Sequence, residues 1–151
     1  AFSAWVPYVG AMVGSIAGGW FSGMLIRKGK SVDYSRKVAI VLGGVIIVPS
    51  IIAAVSSASS VWAIIFMAFV LGGFQFMITN IQTIPSDLHC GKSVGSLAGL
   101  GGVAAVLVTI IAILFAQYIT NWILLFSLLG ALVPLSILSI FLTVGKIEQI
   151  K

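Results

Sequence analysis

Between Phe74 and Asp87 the chain reads FQFMITNIQTIPSD, and here several polar side chains interrupt a hydrophobic run. On a helix, at about 100° per residue, Gln75, Thr79, Gln82 and Ser86 fall within about 60° of arc, with Thr83 beside them and Asn80 further round. Polar groups at membrane depth are costly, so a use for them is expected. Amides and hydroxyls offer donors and acceptors without a buried charge, which suits a polyhydroxylated solute in a cavity. The same groups can instead hydrogen-bond neighbouring helices.

The composition says what kind of element must carry this face. Of 151 residues, 60% are hydrophobic and 7% charged, and the mean hydropathy is +1.24. Soluble domains carry roughly a quarter charged residues, so an all-α integral membrane protein is expected. A span needs about 20 apolar residues, which leaves room for at most about six spans and no soluble domain. The net charge is +5, but five of the eight basic residues lie in one loop, a topological pattern rather than a nucleic-acid surface. Cys90 is the only cysteine and His89 the only histidine. Two adjacent loop residues cannot encircle a metal, so no metal or cofactor is expected.

Five spans follow in order, over residues 5–26, 38–55, 61–85, 94–119 and 122–144. The first carries Gly10, Gly14 and Gly18 at four-residue spacing, a face that packs on another helix rather than on lipid. The loop RKGKSVDYSRK sets Arg27, Lys28, Lys30, Arg36 and Lys37 against Asp33, and the positive-inside rule makes it cytoplasmic. Pro49 kinks the second span without stopping it. Pro85 closes or bends the third, and Asp87, at its end, is expected to cap the helix or pair with Lys92. The fourth opens with Gly95, Gly99, Gly101 and Gly102, which permit close helix approach or local bending.

Alternating sides from the first loop puts every Lys and Arg inside, and Trp5, Tyr8, Trp62, Tyr118 and Trp122 at the outer ends, where an aromatic belt is expected. The carboxyl terminus is then cytoplasmic. Ala1 already lies in a hydrophobic segment with no basic residue before Arg27, so the first segment reads as a span rather than a signal peptide, and the amino terminus as a cut end.

The stretches GGWFSGMLIRKGKSVDYSRK and IPSDLHCGKSVGSLAGLGG resemble the carboxyl-terminal half of major facilitator superfamily transporters, and more narrowly the hexuronate permeases of the anion:cation symporter branch. The helix-end motif of that branch falls on Ser86, Asp87, Val94, Gly95, Ser96 and Gly99. The superfamily's loop motif falls on Gly19, Ser22, Arg27, Lys28, Gly29 and Arg36, with Gly23 where the family usually has Asp. The resemblance covers nearly the whole chain. It implies helices eight to twelve of a twelve-helix transporter, hence a fragment lacking its amino-terminal half. The family's Gln and Asn, five residues apart, match Gln75 and Asn80, while Phe74 and Met77 replace a His and a Trp of the hexuronate permeases and imply a more apolar cavity wall.

The resemblance implies proton symport of a small organic anion, a hexuronate or related sugar acid, by alternating access in a bacterial inner membrane. Gln75, Thr79, Asn80 and Gln82 are assigned to hydroxyl recognition. Pro85, Asp87, Lys92, Gly95, Gly99 and Gly102 are the gate and hinge candidates. Two alternatives remain: an exporter of drugs or other hydrophobic compounds, favoured by Phe74, Phe76 and Met77, and a small membrane subunit without transport activity. The chain offers no nucleophile with a base in reach, so no enzyme is expected.

Overall fold

The computed structural model describes residues 4–88 and 93–147. Among these it is all-helical, with α1 (Val6–Arg27), α2 (Val32–Ser56), α3 (Ser60–Leu88), α4 (Ser93–Ala116) and α5 (Trp122–Thr143). All five are long and apolar enough to cross a membrane. Hydrocarbon cannot satisfy backbone polar groups, and a helix satisfies them within itself, which is why so apolar a chain folds this way. The protein is an integral membrane protein.

Several boundaries differ from those read off hydropathy. α2 begins at Val32, six residues before the expected 38, because Ser31 caps it by accepting the Tyr34 N–H at 3.2 Å. Hydropathy trims that polar first turn, yet a charged turn is stable where the helix leaves the hydrocarbon. The loop between α1 and α2 is correspondingly short. It turns at Gly29, whose φ of +81° suits glycine; the Gly29 N–H reaches the Ile26 carbonyl at 2.9 Å and the Lys30 N–H reaches that of Leu25 at 3.1 Å. α3 runs through Pro85 to Leu88, so the proline does not end it. α4 stops at Ala116, three residues before the expected 119, and Asn121 caps α5 by accepting the N–H groups of Ile123 and Leu124.

α3 is the central helix. α1 lies along one side of it and α2 along another, with α5 outside α2. The α1 seam is glycine-built as expected: a Cβ on Gly10, Gly14 or Gly18 would collide with the backbone of Ala68, Gly72 or Phe76. On the α2 side Gly43 faces Gly73 and Met77 in the same way. An apolar core of Ile40, Ile47, Ile51, Met77 and Ile84 fills the space between α2 and α3, closed at one end by Ile147. α4 behaves differently. Among the described residues it packs mainly, and lightly, on α3, its described side chains are almost all exposed, and Gly95, Gly99, Gly101 and Gly102 have nothing within 4 Å of an added Cβ. The close approach expected of these glycines is not made among the described residues.

Candidate functional site

The polar stretch of α3 divides into two sets of side chains, because its neighbours differ on each side. On the α1 side the Thr79 hydroxyl donates to the Gln75 carbonyl at 2.7 Å. Its oxygen is thereby left to accept from Ser15 of α1, at 3.2 Å. Gln75 is half-buried and Gln82 exposed. Among the described residues no hydrogen bond engages either side-chain amide. A glutamine amide has two donors and two acceptor lone pairs, so this flank presents uncommitted amide groups along a mostly apolar helix. Thr83 turns back onto the Asn80 carbonyl at 2.8 Å, and Ser86 is exposed.

The other set gathers at the end of the bundle that carries the basic loop. Arg36, in the second turn of α2, donates from Nε to Asp87 Oδ2 at 2.8 Å and from Nη2 to Oδ1 at 3.5 Å. Its Nη1 donates to Ser22 Oγ of α1 at 2.9 Å and to Asn80 Oδ1 of α3 at 3.2 Å. Asn80 is wholly buried, and its Nδ2 donates to the carbonyls of Gly18 and Phe76 at 3.1 and 2.9 Å. One guanidinium therefore clasps α1, α2 and α3. The ion pair is mostly shielded, with side-chain exposures of 14% for Arg36 and 21% for Asp87. A charge so placed is tolerable when paired and hydrogen-bonded.

The same two turns of α2 hold the segment after α5. Asp33 pairs with Lys37 at 2.7 Å and accepts the Ile147 N–H at 3.1 Å, while Lys37 donates to the Gly145 carbonyl at 2.9 Å. The basic loop, the end of α3 and the end of α5 thus meet on one side of the bundle. This agrees with the alternation of five spans read from the charges.

The structure departs from the expected grouping at Asn80. Asn80 does not share the open flank with Gln75, Thr79 and Gln82: about 100° per residue carries it away from Thr79 and into the seam between α1 and α3. Asp87 pairs with Arg36; Lys92, its expected partner, lies outside the described residues together with His89 and Cys90. Of the loop-motif residues, Ser22 and Arg36 enter the clasp, the Gly19 carbonyl accepts from Ser22 Oγ at 3.2 Å, and Arg27, Lys28 and Gly29 are exposed. The absence of an Asp at Gly23 leaves the clasp intact, because Asp87 supplies the carboxylate. Ser15 carries no signal in the sequence beyond its small size, and only its height opposite Thr79 marks it.

A groove of about 500 Å³ runs between α1 and α3 with Ile46 of α2, and its walls include Trp5, Val9, Val13, Ala68 and Phe69. It is apolar, and Gln75 and Gln82 are not among its walls.

No protein-family model matches the chain. Comparison with curated proteins finds similarity to the probable galactarate/D-glucarate transporter GudP of Bacillus subtilis, 31% identical over 155 aligned residues that take in 99% of this chain. The chain spans about a third of that relative's length, 33%.

Proposed function

We propose that this chain is part of a secondary transporter of the major facilitator superfamily that carries a sugar acid. The observation that carries the reading is the flank of α3 where the half-buried Gln75 and exposed Gln82 amides have no hydrogen bond among the described residues, on a mostly apolar helix beside the Ser15–Thr79 hydroxyl pair. Groups of this kind exchange hydrogen bonds with solute hydroxyls without the cost of a buried charge. The similarity to a probable galactarate/D-glucarate transporter supports the same substrate class. In this reading the chain contributes five helices of a longer bundle, the loop of Arg27 to Lys30 faces the cytoplasm of a bacterial cell, and the carboxyl terminus lies on that side.

The mechanism proposed is alternating access driven by proton symport, with the glycine seams as helix contacts and Pro85, Gly95, Gly99 and Gly102 as hinges. The cationic partner of the substrate carboxylate and the proton carrier are assigned to the rest of the transporter, since Arg36 is already engaged by Asp87. The apolar groove beside Trp5 favours one rival, an exporter of hydrophobic compounds.

Uptake by the complete transporter in proteoliposomes tests these readings. Labelled sugar acids, neutral sugars and a hydrophobic cation are compared with and without an inward proton gradient, for wild type and Gln75→Ala. Gradient-driven uptake of a sugar acid, weakened about tenfold or more in the variant, is the expected result. Movement of the hydrophobic cation alone would favour the exporter.

A further inference from the structure

We infer that Asn80 is a positioning residue of the Arg36 clasp: it holds the guanidinium on Asp87 and bolts α1 to α3, and it does not touch the transported solute. The inference rests on the transport reading above, but the geometry that carries it is separate from the open flank. Asn80 has no exposed surface, and both of its amide hydrogens are taken, by the Gly18 and Phe76 carbonyls. Its Oδ1 faces Arg36 Nη1 at 3.2 Å. Turning the amide over would set an NH2 against a guanidinium and an oxygen against two carbonyls, so one orientation satisfies every partner. A solute could reach this amide only by breaking a charge-assisted bond and two buried ones.

The clasp needs that amide for a geometric reason. Arg36 offers a rigid fork of donors; Asp87 takes Nε and Nη2, while Ser22 and Asn80 fix Nη1. Asn80 reaches Gly18 only because α1 approaches so closely there, where a Cβ on Gly18 would lie 2.5 Å from the Phe76 oxygen. Three helix ends held by one guanidinium move together. In a transporter that rocks one bundle against another, this makes the α1–α2–α3 unit rigid and turns loss of Asn80 into a defect of movement rather than of recognition.

The test measures equilibrium binding and turnover separately in the complete transporter, using galactarate and glucarate, which differ in hydroxyl configuration. The variants are Asn80→Ala, Arg36→Lys and the double variant, with wild type and Gln75→Ala as references. Asn80→Ala should leave the dissociation constant of each acid unchanged and lower turnover by about tenfold, by the same factor for both acids. Lysine cannot span Asp87, Ser22 and Asn80 at once, so the double variant should be no slower than the slower single. A dissociation constant raised by Asn80→Ala, and by different factors for the two acids, would overturn the inference and return Asn80 to the solute site. If wild type carries no sugar acid, the transport reading has failed on its own, and thermal unfolding of wild type, Asn80→Ala, Arg36→Lys and the double variant decides: non-additive losses in Tm for Asn80 and Arg36 support the clasp role, and additive losses overturn it.

Discussion

Two neighbouring residues of α3, Thr79 and Asn80, have side chains of similar polarity and opposite circumstances. Thr79 lies on a flank where its own hydrogen bonds leave adjoining amides open, while every Asn80 hydrogen is spent inside the seam. The difference governs what substitution does. Arg36→Gln leaves the Asp87 carboxylate without its cation in a mostly shielded position, and a lost hydrogen bond to a charged group costs about 1.5 to 3 kcal/mol. Asp87→Asn leaves the Arg36 guanidinium without its anion and should cost about as much. Thermal unfolding in detergent, read for both single variants and the double, should give a double variant less destabilised than the sum of the two. Additive losses would mean that the 2.8 Å pair contributes little to stability.

At the scale of the helix, glycine has two unlike roles here. Gly14 of α1 meets the backbone of Gly72 so closely that a methyl group has no space, whereas Gly23, nine residues on, has nothing within 4 Å of an added Cβ. Backbone cannot yield as a flexible side chain can, so Gly14→Ala should force α1 off α3 and cost roughly 1 to 3 kcal/mol. Gly23→Ala should be neutral, or stabilising by up to about 1 kcal/mol through helix propensity. The pair makes a controlled comparison, since the chemical change is identical and only the neighbour differs. Equal effects on unfolding would contradict the α1–α3 seam.

For the whole molecule the testable property is sidedness. Asp33 and Arg36 near the basic loop, Asp87 at the end of α3 and Gly145 to Ile147 after α5 are in contact, so these three regions share one side of the membrane. Single cysteines at Lys28 and Ser59, in a Cys90→Ser background, should label from opposite faces. A membrane-impermeant maleimide added to intact cells should reach Ser59→Cys and spare Lys28→Cys. The reverse pattern would invert the orientation and overturn the cytoplasmic assignment of the basic loop. The almost wholly exposed α4 is ordinary for a helix facing lipid or another membrane helix, where the same surface in water would be a liability.

Composition called for an integral membrane protein, and apolar runs of about 20 residues made its spans helical, since a helix satisfies its backbone groups within itself. Charge placement dictated the five alternating spans, and four-residue glycine spacing dictated the close face of α1. These signals are local, and a helix of period 3.6 converts them directly into geometry. The clasp was not legible, because Arg36 and Asp87 are 51 residues apart and no periodicity links them. Nor did the polar arc reveal that Asn80 would be consumed while Gln75 and Gln82 stayed open. That depends on which flank of α3 receives α1, a matter of where glycine lets two backbones meet. The residues that lie on a helix face follow from the chain; which of those faces is closed by a neighbour, and which is left open, was decided by packing.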